Sequence, residues 1–164
     1  KTSINPAATR GFSMALGRLP AKLLAPSSKV LDRSLACLCT MSRPDAIVGN
    51  EKDAETRRNA LIALGRICST VGVDPEQTNA SVVGLTPKQI GHVFAALFRG
   101  LNDYTMERRG DVGSMSRIAA MDGLVSLATT VNGTTPVSDE VFNEDICRKI
   151  VGGLLKQLCE KLDA

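Results

Sequence analysis

The same apolar helical pattern occurs three times along this chain. Residues 60–71, shifted by 60 positions, fall on residues 120–131. Each position of the apolar stripe stays apolar under this shift, namely Ala60, Leu61, Leu64, Ile67, Cys68 and Val71. A shift of about 48 positions towards the start gives a weaker form of the pattern over residues 12–23, and the string ALGR occurs at 15–18 and at 63–66. A chain with this repetition is expected to build its core by packing similar helices side by side.

Helical periodicity runs through almost the whole sequence, with no alternation long enough to require a strand. Two helices have clear start signals. Asn5 is placed to cap a helix that opens with Pro6. Thr86 precedes Pro87 and Gln89 with the spacing of a capping box. We predict an all-α fold of about six helices, over residues of about 6–19, 28–42, 52–71, 87–101, 112–131 and 139–162.

Three related helices that alternate with three others are typical of an α-solenoid built from HEAT or armadillo helix pairs. The HEAT type is favoured because, as in that family, an acidic residue stands six positions before an arginine. Glu51 precedes Arg57 in this way, and Asp111 precedes Arg117. Such a carboxylate is expected to cap its helix and to pair with an arginine of the same or the next repeat, in a ladder along the solenoid. We predict that residues 1–164 are a single HEAT-repeat segment excised from a larger solenoid.

Composition narrows the classes of function. The 20 Lys and Arg residues exceed the 17 Asp and Glu residues by a net charge of only +3, which argues against nucleic-acid binding. No run of 18 or more apolar residues occurs, so we expect a cytoplasmic protein without membrane insertion. The five cysteines lack metal-binding spacing and are expected to be reduced core residues, and the single histidine, His92, is given no role. We expect no metal and no cofactor.

The densest polar stretch lies between the fourth and fifth predicted helices, over residues 102–114. It contains the only tyrosine, Tyr104, and the adjacent arginines Arg108 and Arg109. An aromatic ring and two arginines on an exposed turn can bind an acidic protein surface. In the alternative interpretation the arginines are simply solvated, while Asp111 caps the next helix.

A second basic cluster comprises Arg57 and Arg58 on the third predicted helix and Arg117 on the fifth. These repeated helices are the ones expected to line the concave face of a solenoid, where arginines can recognise acidic peptides. Pairing within the chain, for example with Glu51 or Asp53, is the alternative. The predicted partner-binding residues are thus Tyr104, Arg108, Arg109, Arg57, Arg58 and Arg117, with structural roles for Asp111 and Glu51.

Catalysis is not expected in this segment. With a single histidine, the sequence shows no Ser/His/Asp set and no Cys/His pair at close spacing, and it has neither a P-loop nor a dinucleotide-binding glycine motif. The carboxylates fall at helix starts instead of clustering for metal binding or acid–base chemistry.

Several motifs resemble the tubulin-folding cofactor D family of HEAT-repeat tubulin chaperones. The matching motifs stand in the same order as in that family and are TRGFSMALG at 9–17, RIC at 66–68, TVGV at 70–73, DYT at 103–105 and RGDVGS at 109–114. The resemblance covers most of residues 9–128.

This resemblance implies a protein that binds β-tubulin and takes part in assembly and disassembly of the αβ-tubulin heterodimer. The implied partners are β-tubulin, tubulin cofactors C and E, and an Arf-like small GTPase, in a cytoplasmic, cytoskeleton-associated setting. Members of the family help to stimulate GTP hydrolysis by tubulin, so the nucleotide belongs to tubulin and this segment needs no catalytic residue. Two other classes remain open: a HEAT scaffold of another family, and a nucleic-acid-binding solenoid.

Overall fold

The structure, a computed structural model, describes residues 5–25, 27–46, 53–74, 83–132 and 141–160. Within these ranges the chain forms seven α-helices and one short antiparallel pair of strands. The elements are α1 (Pro6–Leu16), α2 (Ala21–Leu24), α3 (Ser28–Met41), α4 (Ala54–Val71), α5 (Pro87–Leu101), β1 (Met106–Glu107), β2 (Gly110–Asp111), α6 (Gly113–Asn132) and α7 (Glu144–Cys159). The predicted all-α fold class is confirmed.

Local capping signals mark the starts of α1 and α5. The Asn5 side chain accepts a hydrogen bond from the Ala7 N–H at 3.0 Å, as predicted. At the start of α5, the Thr86 hydroxyl accepts from the Gln89 N–H while the Gln89 side chain accepts from the Thr86 N–H, which completes the predicted capping box. These helices begin where the sequence predicts because both signals involve only neighbouring residues.

Three features differ from the expectation. The first predicted helix, over about 6–19, ends at Leu16, and Pro20 caps the separate short helix α2, because a proline cannot continue the helical hydrogen-bond pattern. The β1–β2 hairpin was not predicted, since strands of two residues are too short to show alternation. The predicted start of the sixth helix near residue 139 lies outside the described residues, and α7 begins at Glu144.

α4 is the most buried helix and lies between α1 and α6. Small residues permit both contacts. A Cβ atom added to Gly17, the residue that follows α1, would lie 2.7 Å from the Ala63 Cα of α4, and one added to Gly65 of α4 would lie 2.9 Å from the Gly123 Cα of α6. Ala63 and Gly65 are two positions apart and so face nearly opposite sides of α4.

α5 packs against α6 and also contacts α3 and α7. Its apolar stripe, which includes Ile90, Val93 and Leu97, is fully buried and meets the buried α4 residues Leu61 and Leu64 in one continuous core. α7 differs from the other helices described, because none of its residues is buried. None of the helices in the described ranges has the length and apolarity that a membrane span requires.

Candidate functional site

The predicted site lies in the hairpin between α5 and α6. Met106 pairs with Asp111 and Glu107 pairs with Gly110, so Arg108 and Arg109 form the two-residue tip. Gly110 has a φ of +95°, in the left-handed region that favours glycine, and this lets the chain reverse. The local sequence therefore places the two adjacent arginines at the end of a hairpin, where both are exposed.

The two tip arginines differ in their surroundings. Arg109 pairs with Glu107 at 3.0 Å and lies 3.6 Å from Glu55 of α4, while 58% of its side chain stays exposed. Arg108 is exposed and makes no hydrogen bond or ion pair with any residue in the described part of the chain. Arg108 is thus the arginine of the predicted set whose charge is most available to another molecule.

Tyr104 has contacts on both sides of its ring. The Arg117 guanidinium lies 4.7 Å from the ring centroid and the Lys156 ammonium 5.0 Å from it. The Tyr104 hydroxyl donates a hydrogen bond to the Glu160 carboxylate at the end of α7. Tyr104 therefore connects the loop before the hairpin to the end of α7, and it is still 44% exposed.

Arg57 does not lie on the surface, which corrects its predicted role as a partner-binding residue. Its side chain is 1% exposed, and its Nε donates at 2.9 Å to Oδ2 of Asp103, which is equally buried. Its Nη1 and Nη2 atoms are buried without a hydrogen-bond partner in the described part of the chain. Arg57 is therefore an internal ion-pair residue that no partner can reach in this conformation.

Arg117 is also internal, and its predicted role at the surface is corrected in the same way. Its side chain is 7% exposed and donates to both carboxylate oxygens of Asp111, at 2.6 and 3.2 Å. A further bond reaches the Gln157 side chain of α7 at 3.0 Å. Asp111 in turn accepts from the Ser114 N–H at 3.1 Å, so its predicted capping and pairing are both present.

The remaining predicted residues are Arg58 and Glu51. Arg58 is half-buried on α4, where it donates to the side-chain oxygen of Asn59 at 3.1 and 3.0 Å and lies 4.0 Å from the sulfur of Met115 on α6. Glu51 lies outside the described residues, so its role as a cap stays a prediction. The structure thus places Arg108 and Arg109 together at the hairpin tip, and it places Tyr104 beside Arg117 in the loop that precedes the hairpin.

Sequence analysis missed the ion pairs that join neighbouring helices. Arg10 of α1 donates to both carboxylate oxygens of Asp53, at 2.7 and 2.9 Å, across 43 residues of sequence. The Arg57–Asp103 pair spans 46 residues. An acid six positions before an arginine can indicate only a pair that is close along the chain, so that pattern could not reveal either of these pairs.

The three paired carboxylates are held in the charged form. Burial raises the pKa of Asp53, but hydrogen bonds from Arg10 and Thr56 outweigh it, and the pKa is lowered. Burial likewise raises the pKa of Asp103, and the Thr105 hydroxyl and the Arg57 charge bring it below its ordinary value. The hydrogen bond from Arg117 is the largest contribution at Asp111 and also lowers its pKa.

The cysteines only partly match the expectation of core positions. Cys68 is fully buried, and burial raises its pKa to about 12. Cys37 and Cys159 are exposed instead, while Cys39 and Cys147 are half-buried. Cys39 borders a cavity of about 250 Å³ between α3 and α5, and burial raises the pKa of its thiol, which keeps it protonated and weakly nucleophilic.

The described residues contain no group of three or more His, Cys, Asp or Glu side chains that could hold a metal ion. His92 lines the same α3–α5 cavity, but the Cys39 thiol donates to its backbone oxygen at 3.9 Å and not to its ring. What the segment between α5 and α6 offers chemically is therefore recognition: it carries exposed positive charge at the hairpin tip and a half-exposed aromatic ring at Tyr104, before the hairpin.

No model of a known protein family matches this chain. No solved structure matches it significantly.

Proposed function

We propose that this chain is a segment of a HEAT-type α-solenoid. In this arrangement α3, α5 and α7 are the first helices of successive pairs, and α1, α4 and α6 are the second helices. The contacts of α4 with α1 and α6, and of α5 with α3 and α7, support it, because stacked helix pairs contact only their neighbours. Two ion pairs also support it, because each joins parts of neighbouring helix pairs: Arg10 of α1 with Asp53 at the start of α4, and Arg57 of α4 with Asp103 in the turn before α6.

The function that this geometry supports best is binding of an acidic protein surface by the hairpin between α5 and α6. The observation that carries this proposal is the hairpin tip, where Arg108 and Arg109 are exposed and Arg108 is unpaired within the described residues. Exposed arginines recognise carboxylates through paired hydrogen bonds, and a neighbouring half-exposed aromatic such as Tyr104 adds apolar contact area.

We further propose that the acidic partner is tubulin, with this chain belonging to the tubulin-folding cofactor D family. The sequence that resembles that family includes the hairpin itself, so the resemblance and the exposed arginines coincide at one place. On this proposal the protein holds β-tubulin during assembly and disassembly of the heterodimer, together with tubulin cofactors C and E and an Arf-like GTPase. Its contribution to GTP hydrolysis on tubulin is indirect.

The proposal is tested by reversing the charge of the tip. Arg108→Glu with Arg109→Glu, introduced into the full-length protein that carries this segment, should weaken its binding to αβ-tubulin about 10-fold or more, because attraction becomes repulsion at an acidic surface. Binding is measured by biolayer interferometry with immobilised tubulin at two salt concentrations. Circular dichroism should show unchanged helical content, since both side chains are exposed.

A matched control separates a local effect from one of overall charge. Lys29→Glu with Arg33→Glu changes the net charge by the same amount on exposed positions of α3, away from the hairpin. This variant should bind tubulin nearly as well as the unaltered protein. Equal binding by the hairpin variant and the unaltered protein would remove the hairpin from the proposed site.

A HEAT scaffold that binds another acidic protein is the second candidate, because an exposed, unpaired Arg108 would serve any acidic surface. The two candidates differ in one result. If the unaltered full-length protein does not retain tubulin in a pull-down, the scaffold function replaces the tubulin function.

A further inference from the structure

The duplicated string ALGR, at 15–18 and 63–66, places two arginines outside the hairpin. Arg18 lies just after α1 and Arg66 lies on α4, and both are exposed. Neither side chain makes a hydrogen bond or an ion pair with any residue that the structure describes. The duplication therefore supplies two positive charges that the described part of the chain does not neutralise.

α4 leaves one narrow stripe uncovered. Between Arg57 and Cys68, every residue is buried except Arg58, Ile62 and Arg66. These three residues are spaced four positions apart, so they lie along one side of the helix. The other sides of α4 contact α1, α6 and the helices α3 and α5. The stripe is thus the side of α4 that another molecule can reach.

α1 carries the same stripe. A shift of 48 positions places Met14 on Ile62 and Arg18 on Arg66. Met14 is 43% exposed and Ile62 is half-buried, so an apolar side chain precedes each exposed arginine by one helical turn. We call these four residues the ALGR surface.

The packing of α1 on α4 brings the two arginines close together. Gly17 precedes Arg18, and a Cβ atom added to Gly17 would lie 2.7 Å from the Ala63 Cα. Arg66 follows Ala63 by less than one helical turn. We expect the two arginines to stand about 8 to 10 Å apart, the usual distance between packed helix axes.

The residues around the ALGR surface do not extend its free positive charge. Arg10 corresponds to Arg58 in the repeat, and Arg10 pairs with Asp53 at 2.7 Å. Arg58 is half-buried and has hydrogen bonds of its own. On α6, the position that corresponds to Ile62 is the exposed Asp122. The positive charge is therefore restricted to the side of α1 and α4.

We propose that the ALGR surface binds an extended acidic segment of a partner protein. Two carboxylates of the segment pair with Arg18 and Arg66, and an apolar residue of the same segment packs on Met14 and Ile62. The spacing fits, because residues two or three positions apart in an extended chain are about 7 to 10 Å apart.

This proposal rests on the proposed solenoid arrangement but not on tubulin binding or on the hairpin. Further repeats of the solenoid would stack beside α1 and α6. They would lengthen this side of the fold without covering the ALGR surface.

An acidic protein segment fits the ALGR surface better than a nucleic acid does. Asp122 would repel phosphates on the α6 side, and a phosphate backbone gains nothing from the apolar Met14 and Ile62. The net charge of only +3 also gives little general attraction for nucleic acid.

Methionine methyl NMR can test the proposal, because the methionines report on separate places. Among the five methionines, Met14 lies on the ALGR surface and Met106 lies on β1 of the hairpin. The probe is a short synthetic peptide in which pairs of glutamates alternate with single leucines. Titration of the chain with this peptide at low salt should shift the Met14 resonance, and the shift gives a Kd.

Arg18→Glu with Arg66→Glu should raise the Kd obtained from Met14 about 10-fold or more, because attraction becomes repulsion. Both positions are exposed, so circular dichroism should show unchanged helical content. Lys29→Glu with Arg33→Glu, on exposed positions of α3, is the control with the same change of net charge. It should leave the Met14 titration nearly unchanged.

Two results would overturn the proposal. One is a Met14 resonance that does not move up to about 5 mM peptide, a concentration at which even a millimolar affinity is detected. The other is a single-stranded DNA oligonucleotide that shifts Met14 more strongly than the peptide does.

The hairpin variant distinguishes this proposal from the proposed function. Arg108→Glu with Arg109→Glu should leave the Met14 titration intact, whereas any peptide binding at the hairpin would be seen at Met106. A hairpin that fails to bind tubulin therefore leaves the ALGR surface unaffected, and an unresponsive Met14 leaves the hairpin unaffected.

Discussion

Arg57 and Asp103 bury opposite charges 2.9 Å apart in a site where each side chain is 1% exposed. Removing two charges from water is unfavourable, and their attraction offsets this only in part. The Nη1 and Nη2 atoms of Arg57 remain without hydrogen-bond partners in the part of the chain that the structure describes. The intact pair therefore adds little net stability, but either charge left alone is strongly destabilising.

Asp103→Asn is expected to lower the free energy of unfolding by about 3 to 5 kcal/mol, because it leaves the Arg57 guanidinium buried and without a counter-charge. Asparagine keeps the side-chain oxygen that accepts from the Thr105 N–H, so the turn itself is preserved. The measurement is urea unfolding followed by circular dichroism.

The double variant Arg57→Met with Asp103→Asn is the control. Removing the buried cation should restore a large part of the stability that the single change loses. If the single variant loses less than about 1 kcal/mol, the pair is not desolvated as the structure has it.

Individual pairings were predictable from sequence only where the partners are close along the chain. Asp111 and Arg117 are six residues apart, and their pairing was predicted and is present. Asp103 and Arg57 are 46 residues apart. They meet only because α4 packs against the turn that follows α5. Burial of Arg57 was missed for the same reason, since an arginine next to Arg58 on a helix carries no local sign of being internal.

At the level of helices, α4 and α6 approach each other closely where Gly65 faces Gly123. Two glycines allow the backbones to come within contact distance, and this brings the flanking leucines of both helices into the core. Glycine in the middle of a helix is intrinsically unfavourable. The packing gained by close approach has to outweigh that penalty at both positions.

Gly65→Val should lower the free energy of unfolding by about 1 to 3 kcal/mol, because even its Cβ would lie 2.9 Å from the Gly123 Cα, so the helices must separate. Gly91→Ala on α5 is the matched control. It lies at an exposed helical position with no atom within 4 Å of the added Cβ, and should stabilise the protein by about 0.5 to 1 kcal/mol.

The change in the free energy of unfolding is to be measured for both variants by thermal and urea unfolding under identical conditions. Stabilisation by both substitutions would mean that helix propensity and not the α4–α6 contact governs these positions.

Helix positions were largely predictable because their signals are local. The start of α5 follows from Thr86 and Gln89, and the predicted bounds 87–101 match the observed helix. The exposure of α7 could not be predicted, because Val151, Leu155 and Leu158 form an apolar pattern like that of a buried helix. Whether such a pattern is covered depends on neighbours and not on the helix itself.

For the whole molecule, three ion pairs connect successive parts of the fold. Asp53 links α1 to the start of α4, Asp103 links α4 to the turn before α6, and Asp111 fastens α6 to its own hairpin. Each of these carboxyl groups has a pKa below its ordinary value of 3.8. The native state therefore binds fewer protons than the unfolded state in acid, and stability is linked to pH.

The free energy of unfolding should be nearly constant from neutral pH to about pH 5 and then fall as the pH drops below the ordinary carboxyl pKa. The sign follows from the lowered pKa values: protonation is easier in the unfolded chain, so acid favours unfolding. Thermal unfolding between about pH 7 and pH 3 measures the effect.

Asp111→Asn removes one of the three groups and should make the decline shallower. A melting temperature that is independent of pH down to about pH 3 would contradict the assignment of lowered pKa values.

Glu55 is shared between Arg10, at 2.5 Å, and Arg109, at 3.6 Å. A carboxylate from a partner that binds the hairpin tip must therefore compete with a carboxylate that the protein already supplies. Binding becomes an exchange of counter-ions, and its electrostatic gain is the difference between the new pairing and the old one. When a partner displaces Glu55 from Arg109, Glu55 pairs with Arg10 alone. Binding at the hairpin therefore changes the ion pairing of α1, which lies on the far side of α4.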